Sequence, residues 1–258
     1  MDKIIVLKCG GSVIEKLAEC FYSNIQALQN DGYKVVIVHG GGPDITNTLK
    51  AMNIPTEFYH GQRKTTQAVL EVAEMVLSGK INKKLVNNLQ ENGINAVGLS
   101  GKDGNLLTAD FLDKKTMGYV GKVTKIETEI IKTLVDKNYL PVIAPLGKTS
   151  DYQTLNINAD VAAGAIASAL NAEKLLFVTD VPGILNEEKL IAETTPEEIE
   201  QFIESGVIHG GMIPKVKTAV ASLSEKLEEV MIVTGEKSFL DEKKFIGTKV
   251  FRKKEAVL

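Results

Sequence analysis

Two glycine runs stand where the chain can bind an anion through its backbone. The apolar runs IIVL (4–7) and VVIV (35–38) each lead through one or two other residues into adjacent glycines, Gly10 and Gly11 in the first case and Gly40 to Gly42 in the second. Glycine lets backbone N–H groups approach an anion without a Cβ in the way, and a following helix N-terminus adds favourable partial charge. The simpler alternative is a tight turn from strand to helix. Neither run has the spacing of a dinucleotide fingerprint or a Walker A loop, so phosphate binding here requires another architecture.

Two lysines occupy positions that suit contact with phosphate. Lys8 ends a run of Ile, Val and Leu directly before the first glycine pair. Lys215, in GGMIPKV (210–216), lies in or near the first turn of a predicted helix over 212–226. The helix dipole disfavours a cation at that end, and a nearby anion removes the conflict. The alternative for both lysines is a side chain that extends into water.

The segment LNINAD (155–160) places two amides and a carboxylate before an apolar helix-like stretch. Taken alone, Asn158 or Asp160 is suited to cap that helix. Asn156 and Asn158 are two residues apart, so on an extended segment both side chains point the same way and offer amide donors to one ligand. Asp160 then lies where a carboxylate can hold Lys8 and Lys215 without itself touching a phosphate.

Two further segments carry weaker signals. VTDVPGIL (178–185) follows the apolar run LLFV (175–178) and contains Pro-Gly, which marks a turn at a strand end. Arg63, in GQRKT (61–65), precedes a helix-like segment. Its guanidinium fork suits a substrate carboxylate, whereas an arginine exposed on the surface is the default interpretation.

The elements that position these residues read as an α/β fold. Short β-branched runs recur at 4–7, 35–38, 94–99, 141–144 and 175–178, with helical periodicity between most of them. The runs do not alternate polar and apolar residues, which is typical of parallel strands buried on both faces. Ligands of such sheets bind at the carboxyl ends of the strands. The stretch 101–126 interrupts the succession and predicts hairpins near a sheet edge.

Composition narrows the function further. The chain has 258 residues, 44% of them hydrophobic, and a formal net charge of −3, so it can bury a substantial core but favours neither a nucleic acid nor a membrane as partner. It shows no apolar stretch of about 20 residues, the length that spans a membrane. Only Cys9 and Cys20 are present, and no secretory signal precedes the first strand. We expect reduced thiols and a cytoplasmic location.

Six segments in order, KCGGS, VHGGGP, GQRKT, LNINAD, VTDVPGI and GGMIPKV, resemble the motifs of the amino acid kinase family. They cover nearly the whole chain, and together they are specific although each is weak alone. The resemblance implies a three-layer αβα sandwich around a mainly parallel open sheet. It also implies one domain with an N-terminal lobe of about 1–173 for the amino acid and dimerisation, and a C-terminal lobe of about 174–258 for ATP. The most similar members transfer the ATP γ-phosphate to the side-chain carboxylate of N-acetyl-L-glutamate in arginine biosynthesis, and this is the activity we expect.

The resemblance also assigns roles to residues. Lys8 and Lys215 match the lysines that stabilise the transferring phosphoryl group, and Asp160 matches the aspartate that organises them. The residues implied for the amino-acid substrate are Gly41, Gly42, Arg63, Asn156 and Asn158. Those implied for ATP are Gly10, Gly11, Asp180, Val181, Gly183, Ile184, Leu185, His209, Gly210, Gly211 and Met212. His39 and His60 receive no catalytic role.

The absence of an obvious general base agrees with this chemistry. A glutamate carboxyl group has a reference pKa of about 4.3, so the acceptor is already ionised at neutral pH. Catalysis then consists of aligning two anions and offsetting charge on the transferred group. We expect Mg²⁺ to be held mainly by ATP oxygens and water, because no cluster of carboxylates suggests a metal site made by the protein.

Rival functions exist on the same fold, since a shared fold does not settle a substrate. Glutamate, aspartate, carbamate or UMP are alternative acceptors, and a non-catalytic nucleotide-binding protein is a further alternative. The chain ends soon after TKVF (248–251), which leaves no room for the regulatory domains of aspartokinases, and intact Lys8, Asp160 and Lys215 disfavour a non-catalytic role. Arginine-inhibited members carry an extra N-terminal helix, whereas only MDK precedes the first run here. We therefore expect a homodimer with weak or no arginine inhibition.

Overall fold

The structure is a computed structural model, and it describes residues 3–59, 61–225 and 227–252. Its strands, in chain order, are β1 Lys3–Cys9, β2 Tyr33–His39, β3 Phe58–Tyr59, β4 Gln62–Arg63, β5 Ala96–Ser100, β6 Leu107–Phe111, β7 Val120–Ile126, β8 Leu140–Ala144, β9 Leu146–Lys148, β10 Thr154–Ile157, β11 Lys174–Thr179, β12 Leu185–Asn186, β13 Lys189–Leu190, β14 Glu193–Thr194, β15 Glu229–Thr234, β16 Leu240–Asp241, β17 Lys244–Phe245 and β18 Thr248–Phe251.

The α-helices alternate with these strands over most of the chain. In chain order they are α1 Glu19–Asn30, α2 Gly42–Ala51, α3 Gln67–Glu74, α4 Asn82–Glu91, α5 Lys114–Met117, α6 Glu129–Asp136, α7 Ala159–Ala169, α8 Pro196–Glu204 and α9 Met212–Ser222. Short 3-10 turns cover Ile14–Lys16 and Asp103–Asn105, and a π-helical turn over Met75–Ile81 joins α3 to α4. Within the described ranges, no helix is long and apolar enough to cross a bilayer.

Eight strands form the central sheet in the order β14-β18-β15-β11-β1-β2-β8-β5. The six from β15 to β5 are parallel, and β18 pairs antiparallel with β15. The five predicted strand runs are confirmed as β1, β2, β5, β8 and β11. β1 and β2 are neighbours paired from Lys3 with Tyr33 to Cys9 with His39, so both glycine runs leave the sheet side by side.

The burial of β1 on both faces explains why its residues do not alternate in polarity. Ile5 and Leu7 pack into a core shared with α1, α2, α3 and α4, whereas Ile4 and Val6 pack into a second core shared with α6, α7, α8 and α9. The strand is therefore covered by apolar side chains on both faces. The predicted three-layer αβα sandwich is confirmed.

A separate small barrel flanks the sheet and is made of β6, β7, β9 and β10. β6 and β7 form the hairpin predicted within 101–126. β7 also pairs in parallel with β10, which sets Val120 beside Asn156. The barrel itself was not predicted, because its closure depends on β9 and β10, which lie beyond the hairpin in the chain.

Candidate active site

The two glycine runs interlock at the carboxyl end of β1 and β2. The N–H of Gly40 donates to the carbonyl of Cys9 at 2.9 Å. A Cβ built on Gly11 would lie 2.8 Å from the nitrogen of Gly41 and 2.9 Å from its Cα, closer than a real Cβ approaches backbone. Glycine at position 11 is thus required for the loops to pack, and the tight-turn alternative does not explain this contact between loops.

A first pocket of about 280 Å³ opens over the second glycine run. It is lined by all five residues predicted to bind the amino acid, together with Lys8, Gly11 and Asp160. Its other lining residues are mostly apolar, and they are Gly40, Ile45, Phe58, Gly61, Gln62, Leu77, Val120, Pro145, Ile157 and Ala159. The apolar part was missed because its members come from α2, the π-helical turn and the barrel, which meet only in the folded chain.

Arg63 lies buried in the wall of this pocket, 8% exposed. Its guanidinium donates to the Thr56 hydroxyl at 2.5 Å, the Thr46 hydroxyl at 2.7 Å and the Gly42 carbonyl at 3.0 Å, and it stacks on the Phe58 ring. Burial lowers its pKa from the ordinary value. No carboxylate pairs with Arg63 in the described part of the chain, and two of its five N–H donors remain after these bonds. The group is therefore fixed and still able to receive an anion.

The two asparagines of LNINAD also line this pocket. The amide of Asn156 donates to the Thr65 hydroxyl at 3.1 Å. Asn158 is the N-cap of α7, since its Oδ1 accepts from the N–H groups of Asp160 and Val161 at 2.8 and 3.3 Å. The capping alternative is thus correct for Asn158, and its amide nitrogen remains a donor beside the pocket.

A second pocket of about 270 Å³ lies over the first glycine run and shares Lys8, Gly11 and Asp160 with the first. Its remaining lining comes from the ends of β1 and β11, from the first turn of α2 and from the first two turns of α9, namely Gly10, Ser12, Val13, Pro43, Phe177, Val178, Thr179, Asp180, Pro214, Lys215 and Thr218. The two pockets therefore meet at one lysine, one glycine and one aspartate.

The lysines are paired differently from the prediction. Lys8 forms an ion pair with Asp160 at 2.7 Å, as expected. Lys215 instead pairs with Asp180 at 2.5 Å, and this hydrogen bond lowers the pKa of the Asp180 carboxyl. The prediction that Asp160 holds both lysines is corrected here, because the first turn of α9 faces the residue that directly follows β11. Lys215 still lines the second pocket.

The other residues predicted for ATP lie away from the second pocket. Ile184 is buried, its N–H donates to the Thr248 hydroxyl at 2.8 Å, and Gly183 packs against the same hydroxyl. The Thr179 hydroxyl donates to the carbonyl of Val181 at 3.0 Å and accepts from its N–H at 3.2 Å. Leu185 and His209 line a separate, open cavity of about 430 Å³. Gly210, Gly211 and Met212 lie at the start of α9.

The other groups to consider near the site are the histidines, the possible metal ligands and the cysteines. His39 is fully buried at the end of β2, directly before the second glycine run. His60 lies outside the described residues. Among the residues that are described, no three His, Cys, Asp or Glu side chains converge as metal ligands. Cys9 and Cys20 are free, and burial raises the pKa of the Cys9 thiol to about 12, so Cys9 is no nucleophile at neutral pH.

Two pockets meet over glycine loops at the carboxyl edge of a parallel sheet, an arrangement suited to two small ligands held side by side. The chain belongs to the amino acid kinase family, whose model matches residues 3–234. It is 56% identical over 257 residues to the acetylglutamate kinase of Bacillus licheniformis, and the match covers 100% of both chains.

Solved structures agree with this fold. A protein from Streptococcus mutans UA159 superposes with a TM-score of 0.84 at 32% identity, covering 97% of this chain and 99% of that one. The carbamate kinase from Giardia lamblia bound to AMP-PNP has a TM-score of 0.66 at 20% identity, covering 97% of this chain and 99% of its own. Because the identity is only 20%, the similarity to the carbamate kinase supports the fold alone.

Proposed function

We propose that this chain is an acetylglutamate kinase, which transfers the γ-phosphate of ATP to the side-chain carboxylate of N-acetyl-L-glutamate to give N-acetyl-γ-glutamyl phosphate in arginine biosynthesis. The observation that carries the proposal is the junction of the two pockets at Lys8, Gly11 and Asp160. An acceptor in one pocket and ATP phosphates in the other would meet there. The full-length relative at 56% identity supports the choice of acceptor.

The first pocket suits both ends of N-acetyl-L-glutamate. Arg63 and the amide of Asn156 are placed to hold the amino-acid end, because the guanidinium has donors left and no carboxylate of its own. The N–H groups of Gly41 and Gly42, which line the same pocket, would bind the carboxylate that is phosphorylated. The apolar lining, which includes Leu77 and Val120, can receive the acetyl methyl group.

Transfer forms a bond between a carboxylate oxygen and the γ-phosphorus and breaks the bond from that phosphorus to the β–γ bridging oxygen, with ADP as leaving group. No proton needs to be removed, because the acceptor carboxylate is ionised. Lys8, fixed by Asp160, offsets the negative charge of the transferred group. Lys215 would exchange Asp180 for the phosphates when MgATP enters the second pocket.

In this proposal MgATP is the nucleotide substrate. Asp160 and Asp180, the carboxylates of the second pocket, are each paired with a lysine, which supports a cation held mainly by phosphate oxygens and water. The segment from Asp180 to Leu185 and the one from His209 to Met212 are proposed to border the rest of the nucleotide. In this proposal the N-terminal lobe, about 1–173, binds the acceptor and the C-terminal lobe, about 174–258, binds ATP.

The function is tested by trapping the acyl phosphate with hydroxylamine in the presence of MgATP. N-acetyl-L-glutamate, glutamate and aspartate are compared by hydroxamate formation, and carbamate and UMP by ADP release. We expect selective hydroxamate formation with N-acetyl-L-glutamate. Turnover on another acceptor would support a kinase but contradict the proposed substrate. ATP binding with no turnover on any acceptor would favour a non-catalytic nucleotide-binding protein.

We also propose that the enzyme is a homodimer in the cytoplasm with weak or no inhibition by arginine. Light scattering is expected to give twice the chain mass of 28.0 kDa. A hexamer whose activity falls at physiological arginine concentrations would contradict this proposal.

Arg63→Lys is expected to raise the KM for N-acetyl-L-glutamate by about 10- to 100-fold and to leave the KM for ATP within about threefold, because lysine keeps the charge but loses the fork that binds a carboxylate. Steady-state kinetics with each substrate varied separately measure both constants. Lys64→Ala is the matched control, since this neighbouring side chain points outward and pairs with Glu57. Equal changes in both KM values would argue against a role at the amino-acid end.

A further inference from the structure

His39 is a fully buried histidine that the proposed chemistry does not use. Its Nδ1 lies 3.0 Å from the carbonyl oxygen of Gly40, and its Nε2 lies 3.2 Å from the amide nitrogen of Asn82. Asn82 is also buried and begins α4, directly after the π-helical turn. A buried polar pair thus lies directly beneath the glycine run that lines the first pocket.

The neighbours of this pair fix which atoms carry protons. The amide nitrogen of Asn82 faces the carbonyl oxygens of Val142 at 2.9 Å and Leu99 at 3.2 Å, and since neither oxygen can donate, nitrogen is the only correct assignment there. This nitrogen has two N–H groups and three acceptors around it, so it does not decide the state of Nε2, and the tautomer of His39 is decided at its other ring nitrogen. The Nδ1 of His39 faces the Gly40 carbonyl and must carry the hydrogen. Burial lowers the His39 pKa to about 4, so the ring is neutral at pH 7 in this single tautomer.

The hydrogen bond from His39 controls the direction of the next N–H group. The Gly40–Gly41 peptide is planar and trans, so its carbonyl oxygen and its N–H point to opposite sides. Gly40 is held at both ends, by Cys9 at its N–H and by His39 at its carbonyl. Among the described residues, no backbone carbonyl accepts from the N–H of Gly41. That donor is therefore fixed in direction and still available to a ligand.

The π-helical turn beneath the loop prevents Gly41 from moving downward. A Cβ built on Gly41 would lie 2.4 Å from Ile81 and 2.7 Å from Leu77, so both side chains of the π-helical turn fill the space directly under this residue. Turns of this kind are frequent at functional sites. The loop is thus packed from below by apolar groups and oriented by one hydrogen bond.

We propose that His39 is a positioning residue for phosphoryl transfer, which orients the Gly40–Gly41 peptide so that the Gly41 N–H faces the carboxylate that receives the phosphoryl group. The inference rests on the proposed function of the first pocket. His39 touches neither substrate; it acts through the peptide. Its contribution belongs to the step in which charge develops, so it should affect the rate of transfer more than the binding of ATP.

Two amide variants separate the two ring nitrogens. The side-chain nitrogen of asparagine can occupy the place of Nδ1, whereas that of glutamine reaches the place of Nε2. We expect His39→Gln to lower the single-turnover rate of phosphoryl transfer by about 100-fold, the lower end of the loss that follows removal of one transition-state donor, with the KM for ATP within about threefold. His39→Asn should retain the rate within about fivefold of the wild type, because it restores the donor to the Gly40 carbonyl.

The tautomer itself is measured in the wild-type protein by long-range ¹H–¹⁵N correlation spectra of the imidazole rings, with the His39 signals assigned by their absence in His39→Asn. The Nδ1–H tautomer is expected between pH 6 and 8. An Nε2–H tautomer or an imidazolium at pH 7 would overturn the inference whether or not either variant folds. Equal rates in both variants would also overturn it, as would losses confined to thermal stability.

These outcomes are distinguishable from failure of the proposed function. If the wild-type enzyme phosphorylates an acceptor other than N-acetyl-L-glutamate, the substrate proposal fails and the same two variants are compared on the true acceptor. If the wild-type enzyme has no turnover, a positioning role in transfer fails with it, and the spectra then report only the buried hydrogen bond.

Discussion

Lys8→Ala is expected to lower kcat by about a thousandfold and to change the KM for either substrate by less than about tenfold. Lys8 is the one cation that lines both pockets among the described residues. Its ion pair with Asp160 at 2.7 Å and its 16% side-chain exposure hold the charge where solvent competes little. A charge at the junction interacts most strongly with the transferring group, so its loss should appear in kcat. Coupled assay of ADP release measures both constants.

The control for this variant lies on the same strand. Lys3→Ala removes a lysine from the opposite end of β1, where the side chain is exposed beside the Tyr33 ring, and should leave kcat within about twofold because a solvated charge far from the site is screened. Thermal unfolding of both variants separates catalysis from stability, since Lys8→Ala also leaves Asp160 without its partner. A folded Lys8→Ala enzyme with kcat within tenfold of the wild type would refute the assigned role.

The junction could be predicted from sequence because it depends on chain order and on little else. Lys8 is the last residue but one of β1, Gly11 lies two residues beyond the end of that strand, the second glycine run follows β2, and parallel neighbouring strands end at the same edge of a sheet. Because β1 and β2 pair as parallel neighbours, their two glycine loops leave the sheet side by side. Arg63, by contrast, was assigned by resemblance, and its burial between Thr46 and Thr56 depends on a loop whose path no local pattern specifies.

The missed parts of the site depend on contacts between distant segments. Asn82 meets His39 across 43 residues, and only the folded chain shows that this histidine holds a glycine peptide. The π-helical turn at Met75–Ile81 has no sequence signature that distinguishes it from ordinary helix. Whether Lys215 pairs with Asp160 or Asp180 depends on which carboxylate its flexible stem can reach, and a motif does not contain that geometry.

Gly11→Ala is expected to lower kcat by at least about 100-fold, because displacement of a catalytic loop by about 1 Å costs this much. The three atoms nearest the added Cβ, at 2.8, 2.9 and 3.1 Å, all belong to the backbone of Gly41 and Gly42. Backbone cannot rotate away as a side chain does, so one of the two loops must move. Both pockets are bounded by Gly11, and the movement should therefore raise the KM for both substrates as well.

Gly10→Ala is the matched comparison, one residue away in the same loop. Its Cβ would meet Val13, the Lys8 Nζ and the Val178 carbonyl at 3.7 to 3.8 Å, which are ordinary contacts. We expect a smaller loss, about tenfold or less, because nothing in the loop must move and only direct crowding of ATP remains. The two alanine variants thus distinguish crowding of the ligand at Gly10 from disruption of the contact between the two loops at Gly11. Equal losses in kcat for the two variants would show that the contact between Gly11 and Gly41 has no special part in catalysis.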